Sequence, residues 1–129
     1  MRLLLDTHFV QRLVAEPNKI TRQEHMLMSR NDLVVSSVSI WEFRIKWDKH
    51  GANSQRRDLL DPATAMRFIT QNEVELAPLT GTDCSAVLAV PIEHHDPFDI
   101  MLLVHAQCLD ARLLTRDSVL LDHSLAISA

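Results

Sequence analysis

Glycine is almost missing from this chain: among 129 residues there are two, Gly51 and Gly81. A loop that cradles phosphates needs several glycines, so that backbone amides can approach the ligand closely. A nucleotide-binding loop of that kind is therefore excluded. A Gly-x-Ser-x-Gly nucleophile elbow is absent as well. Cysteine is equally scarce. Cys84 and Cys108 have neither a motif spacing nor a cysteine framework around them, which argues against a disulfide or a zinc site. Both fall in predicted helices and are expected to be small buried apolar residues in a reducing compartment. No apolar run approaches the roughly 20 residues a membrane helix needs. The opening residues 1–5 are too short a run for a signal peptide, and the chain turns acidic at Asp6. The expectation is a cytoplasmic protein with no membrane partner.

What remains is ordinary in bulk. With 129 residues, 47% of them apolar, the chain is long enough for one domain with a real core, and residues 1–129 are read as a single unit. The formal net charge of −4 argues against diffuse nucleic-acid binding without excluding nucleic acid as a substrate. Cations do gather in one stretch, where Arg44, Lys46, Lys49, Arg56 and Arg57 have only Asp48 and Asp58 among them. Such a run is ordinarily a solvated face. Arg44, Lys46, Arg56 and Arg57 are the candidates for phosphate contacts in it.

The apolar pattern alternates between strands and helices, with no internal repeat. Residues 3–5 are continuously apolar, as in a strand buried on both faces. Helices are expected over 9–15, which Pro17-Asn18 breaks, and over 21–29. A strand follows at 33–36, and Val38, Trp41 and Ile45 then recur at helical spacing to about residue 47. Residues 48–60, with Gly51, Asn53 and Ser54, predict a flexible loop. Asp61-Pro62 opens a helix carrying Met66, Phe68 and Ile69. A short strand at 74–76 precedes a helix that starts at Thr80 or Thr82 and is closed by Pro91. Residues 97–109 are apolar nearly all round and predict a deeply packed helix. A strand at 112–115 and an edge strand at 125–128 complete the set. This alternation implies a mostly parallel sheet in a three-layer α/β/α sandwich.

Within that frame four acids fall at corresponding places. Asp6 ends the first strand and Asp117 follows the strand at 112–115. Glu42 and Asp99 lie in predicted opening turns of helices. In a parallel sheet, strand ends and helix starts share one edge, and ligands bind there near the point where strand order reverses. Four carboxylates meeting at that edge would repel one another unless a hard cation, Mg²⁺ or Mn²⁺, stood between them. Each acid also has a plain structural role. Asp6 and Asp117 can begin turns or cap helices, and Ser39-Ile40-Trp41-Glu42 matches a capping box. Asp99 can complement a helix dipole, and Asp96 before Pro97 is read first as a helix cap. Caps alone do not require four acids on one edge. The pattern therefore points to a metal-dependent enzyme acting on phosphate. Thr115 is placed to orient a ligand through its hydroxyl, and His8 to face the cleft. Trp41 and Trp47 are assigned to core or interface rather than to base stacking, and His94-His95 to a structural or solvent-facing role.

Four segments together resemble the PIN-domain proteins, and most of all the VapC-type toxins of bacterial toxin–antitoxin pairs. They are Leu3-Leu4-Leu5-Asp6-Thr7-His8, Ser39-Ile40-Trp41-Glu42, His95-Asp96-Pro97-Phe98-Asp99 and Leu114-Thr115-Arg116-Asp117. The resemblance runs in order across nearly the whole chain. It implies a Mg²⁺- or Mn²⁺-dependent endoribonuclease, usually a homodimer, restrained by a small antitoxin protein that inserts into the acidic cleft. Carried over by position, Asp6, Glu42, Asp99 and Asp117 match the acidic site, with Asp6 as the central metal ligand. Glu42 would either bind metal or orient the attacking water. Asp96, Thr115 and His8 are candidates for supporting contacts around it. The chain departs from the family pattern at Ile100, where an arginine commonly follows the third acid. It departs again at Asp110, where a glycine often ends the helix, and in the more polar first helix, Phe9-Val10-Gln11-Arg12.

Two rivals stand beside this reading. One is a catalytically silent PIN-like module that binds RNA or protein; the loss of an acid would favour it, and all four are present. The other is a phosphatase of the haloacid-dehalogenase kind. That chemistry needs a second aspartate two residues after the first, where this chain has His8.

Overall fold

The computed structural model describes residues 1–50, 59–93 and 96–129. Its layering follows from the first strand. In β1 (Arg2–Leu5) successive side chains point to opposite faces, so Leu3 and Leu5 enter one apolar cluster and Leu4 another. All three are fully buried, which requires cover on both faces. The pattern repeats in β2 (Asp32–Ser36), where Val35 joins the first cluster and Val34 the second. In β4 (Arg112–Leu114) the pair is Leu114 and Leu113. With β3 (Glu75–Ala77) and β5 (Ala126–Ile127) these strands form one sheet in the order β3-β2-β1-β4-β5, parallel at every pairing.

The first face packs under α1 (Thr7–Ala15), α2 (Arg22–Ser29), α3 (Ser37–His50) and α4 (Pro62–Gln71), which contribute Phe9, Val10, Met28, Phe43, Ala65 and Ile69. The second packs under α6 (Pro97–Leu109) through Leu102, Leu103 and Ala106, with the short α5 (Gly81–Ser85) against it. Burying each of these leucines contributes about 1.5–3 kcal/mol. The architecture is the three-layer α/β/α sandwich expected from the alternation. Among the described residues no helix is long and apolar enough to cross a membrane.

Chain order places the functional edge. The chain runs outward from β1 to β2 to β3, then returns to the other side of β1 with β4 and β5. Strand order therefore reverses between β1 and β4, and the C-terminal ends of these two strands form the crevice where α/β folds bind ligands.

Several local expectations are corrected. α3 starts at Ser37, directly after β2, because the Ser36 hydroxyl already accepts the Val38 amide at 3.0 Å. Glu42 thus lies in the second turn, and Ser39 is no helix cap. The helix expected to run from residue 80 or 82 to Pro91 stops at Ser85. Residues beyond it are drawn out along α6 by Gln107, whose amide donates to the Val87 carbonyl at 3.0 Å and accepts the Ala89 amide at 2.8 Å. β3 is shifted by one residue, and between Asp117 and the last strand the chain makes a single 3-10 turn, Leu120–Asp122. Cys84 and Cys108 are exposed rather than buried. α6 ends on Asp110 at φ 53°, the left-handed conformation a glycine would take without strain. Most of the loop expected at 48–60, and His94-His95, lie outside the described residues.

Candidate active site

Asp6 is the first residue past β1. Its amide still donates to the Leu114 carbonyl at 3.0 Å, so the sheet ladder fixes its backbone. Its side chain is buried and both oxygens are engaged. Oδ1 accepts the His8 amide at 2.7 Å, capping α1, and Oδ2 accepts the Thr115 hydroxyl at 2.6 Å. The Thr115 hydroxyl in turn accepts the Asp117 amide at 3.0 Å. One fully buried hydroxyl therefore ties Asp6 to the backbone of Asp117 across the switch point. A carboxylate has about four lone-pair positions, and these two bonds leave Asp6 capacity for a further ligand.

Asp6 and Asp117 line one cleft of about 250 Å³ together with His8, Arg12 and Arg116. The half-buried Asp117 accepts the Val119 amide at 2.9 Å, so its turn-capping role is real as well. Next to Asp6, the buried Thr7 hydroxyl meets the buried Ser39 hydroxyl at 2.8 Å, which links the start of α1 to α3 one turn before Glu42. Glu42 is itself buried. Its Oε2 pairs with the Lys46 ammonium at 2.7 Å, and its Oε1 has no hydrogen-bond partner among the described residues. Removing a carboxylate from water without full compensation costs several kcal/mol, so an unsatisfied buried oxygen on Glu42 calls for a ligand or a functional reason.

Asp99 is half-buried in the first turn of α6, and Asp96 caps that helix by accepting the Phe98 amide at 2.9 Å. Neither Glu42 nor Asp99 is among the residues lining the cleft of Asp6 and Asp117. Among the described residues, no three acidic, histidine or cysteine side chains form a group able to hold one metal ion. The two carboxylates of the cleft suit a hard cation in kind, and the other lining residues are His8 and two arginines.

The cations are arranged differently from the sequence expectation. Arg44 pairs with Asp48 at 2.8 Å, and Lys46 is engaged on Glu42. Arg56 and Arg57 lie outside the described residues. Arg116, which sequence reasoning left without a role, sits at the cleft and is held on three sides. It donates to both Glu24 oxygens at 2.8 and 2.6 Å and to the Lys19 carbonyl at 2.7 Å, and its guanidinium lies 5.4 Å from the Phe9 ring centre. The hydrogen bonds from Arg116 hold the Glu24 carboxyl below the usual range, against the opposing effect of burial. Glu24 in turn raises Arg116. The only sequence signals were the position of Arg116 beside Asp117 and the Thr21–Glu24 capping box, which the structure contains.

Comparison with known proteins agrees with the fold. The family model described as the PIN domain matches residues 3–124. No curated protein matches the sequence. Among solved structures, the fold is similar to a chain of VapBC2 from Rickettsia felis, crystallised bound to a DNA fragment from their promoter. The TM-score is 0.65 at 12% identity, covering 100% of this chain and 98% of that one.

Proposed function

This chain belongs to the PIN-domain family, and from that premise we propose that it is a divalent-metal-dependent endoribonuclease, the toxin of a toxin–antitoxin pair. One observation carries the reading. A buried aspartate at the end of the central strand is oriented by Thr115 and drawn into one cleft with Asp117, at the point where strand order reverses. Burial of a carboxylate there has no packing value, and its two hydrogen bonds leave capacity for a further ligand.

In this proposal Asp6, Asp99 and Asp117 hold Mg²⁺ or Mn²⁺, and Glu42 either joins them or orients the attacking water. The unpartnered Glu42 oxygen suits either role. A divalent cation supplies positive charge against the charge that develops on a phosphodiester and helps deprotonate water. Thr115 fixes the Asp6 carboxylate, and Asp96 fixes the start of the helix that carries Asp99. His8, exposed in the cleft, is proposed to touch substrate. Arg56 and Arg57 are retained as proposed RNA contacts.

A protein partner is proposed too, as a small antitoxin and as a second copy of this chain in a cytoplasmic homodimer. Trp41 is 59% exposed between two apolar hollows, lined by Leu79, Phe98 and Met101 on one side and by Ile40, Pro62 and Met66 on the other. Exposed apolar patches of this kind mark association surfaces. The whole chain, 1–129, is proposed to act as one domain.

Cleavage of total RNA by purified, antitoxin-free protein tests the reading, with Mn²⁺, with Mg²⁺ and with chelator, beside Asp6→Asn prepared identically. Discrete fragments that need metal and disappear in the variant are expected. A folded, metal-binding protein that cuts no RNA would instead favour the silent binding module.

A further inference from the structure

The nuclease reading leaves open which residue of the cleft meets the RNA backbone. Two arginines line it, and they differ in one respect. Arg116 is committed to Glu24, Lys19 and Phe9. Arg12 makes no side-chain hydrogen bond or ion pair among the described residues, although Asp6 and Asp117 line the same cleft.

The position of Arg12 on α1 follows from the helix repeat. Phe9 and Val10 face the core, so residues 8 and 12, one turn apart, share a face directed away from it. That face borders the cleft, bringing His8 and Arg12 to the same wall. A solvated arginine on an exposed helix face would need no explanation. An arginine that lines a cleft with two carboxylates and pairs with neither has its fork of donors available for an anion from outside. Guanidinium binds phosphate through two parallel N–H···O bonds, and it carries its charge at every physiological pH. A divalent ion would offset the phosphate being cut, whereas the neighbouring phosphates of the strand need their own cations.

We infer that Arg12 is the positioning residue that grips a backbone phosphate of the RNA beside the scissile one, with His8 on the same wall. The inference rests on the nuclease reading, because only an anionic polymer reaching the acids would lie across both.

The test compares wild type, Arg12→Ala, Arg12→Lys and a surface control, Arg67→Ala, which removes the same charge from α4. Affinity for a short fluorescent single-stranded RNA is read by anisotropy in chelator across a salt series. Cleavage kinetics are read in Mn²⁺, and the Mn²⁺-induced shift in melting temperature is read without RNA. Arg12→Ala is expected to weaken RNA binding about tenfold and to raise KM far more than it lowers kcat. It should also flatten the salt slope by about 0.7, the value of one phosphate contact on a single strand. Arg12→Lys should recover part of the affinity, and the Mn²⁺ shift should match wild type in every variant. If wild type binds and cuts RNA while Arg12→Ala equals it, the role of Arg12 is overturned and the nuclease reading stands. If Arg12→Ala loses the Mn²⁺ shift along with affinity, Arg12 is a counter-charge for the acids and the inference is again overturned. If wild type neither binds nor cuts RNA, the nuclease reading fails and takes this inference with it.

Discussion

The two ends of the same parallel strands carry charge in opposite ways. At the N-terminal end, Arg2 pairs with Glu75 at 2.5 Å and donates to the Leu109 carbonyl at 2.9 Å, in a polar hollow of about 430 Å³ that also holds Asn31, Asp32 and Glu73. The side chains of this ion pair are 33% and 51% exposed, so water solvates them and the pair contributes little. At the C-terminal end, Asp6 is 3% exposed and Glu42 4%, and the cleft between Asp6 and Asp117 is the smaller of the two. The larger hollow is thus at the end with no buried acid. Burial of a charge that local hydrogen bonds only partly satisfy identifies a site; the size of a hollow does not.

Changes at the C-terminal end should therefore act on chemistry, and changes elsewhere on stability. The largest effect is expected at Thr115. Thr115→Val deletes the hydroxyl that fixes the Asp6 carboxylate and the Asp117 amide, and should lower metal-dependent RNA cleavage about 10- to 100-fold. Thr115→Ser, assayed in parallel, should retain most of the rate. Equal activity in Thr115→Val would put Asp6 outside the reacting site.

A smaller, purely structural effect is expected at the rim. Glu24→Gln removes the charge that holds Arg116 and should cost about 1–2 kcal/mol at neutral pH, discounted because Arg116 is partly exposed. The Glu24 carboxyl is depressed in the folded protein, so its contribution is present above the unfolded glutamate range and is lost as pH falls through the folded value. The stability gap between wild type and variant, read by denaturant melts, should accordingly close below about pH 4.3. A gap that persists in acid would mean that the variant loses stability through other contacts of Glu24, such as its cap on the Thr21 amide, and not through its charge on Arg116.

Smaller again is a pH slope set by His105, which is fully buried and bonds Ser36 through Nδ1 at 2.8 Å. Burial pushes its pKa down, with Asp83 at 3.8 Å from Nε2 opposing. Protonating a histidine buried in this way costs stability, because burial disfavours the charged form. Its contribution is complete above the unfolded value, about pH 6.5, and falls as pH drops towards the folded one. Thermal melts between pH 7 and 5 should show this loss in wild type, and His105→Gln should flatten it. An identical slope in both would assign the acid sensitivity to other groups.

Much of this was legible in the sequence because two periodicities carried it. The run Leu3-Leu4-Leu5 needs cover on both faces, the apolar 97–109 segment covers one of them, and the alternation of strands with helices implies the parallel sheet and its layers. Asp6, Asp99 and Asp117 were candidates because strand ends and helix starts share an edge, and the structure brings Asp6 and Asp117 into one cleft without Asp99. What escaped was set by tertiary partners. Gln107 ends α5 by taking over the backbone of residues 87–89, and Ser36 starts α3 early. The Thr7–Ser39 contact pulls the apparent capping box into the interior. Arg116 and Arg12 look alike in sequence, and distant partners, Glu24 above all, separate a committed cation from an available one.

The comparison between the two ends reduces to one measurement, Mn²⁺ binding by water-proton relaxation on purified wild type, Asp6→Asn and Glu75→Gln. Binding by wild type and Glu75→Gln, lost in Asp6→Asn, is the predicted result. No binding by wild type, or equal binding by Asp6→Asn, would contradict a metal site at the C-terminal edge of the sheet.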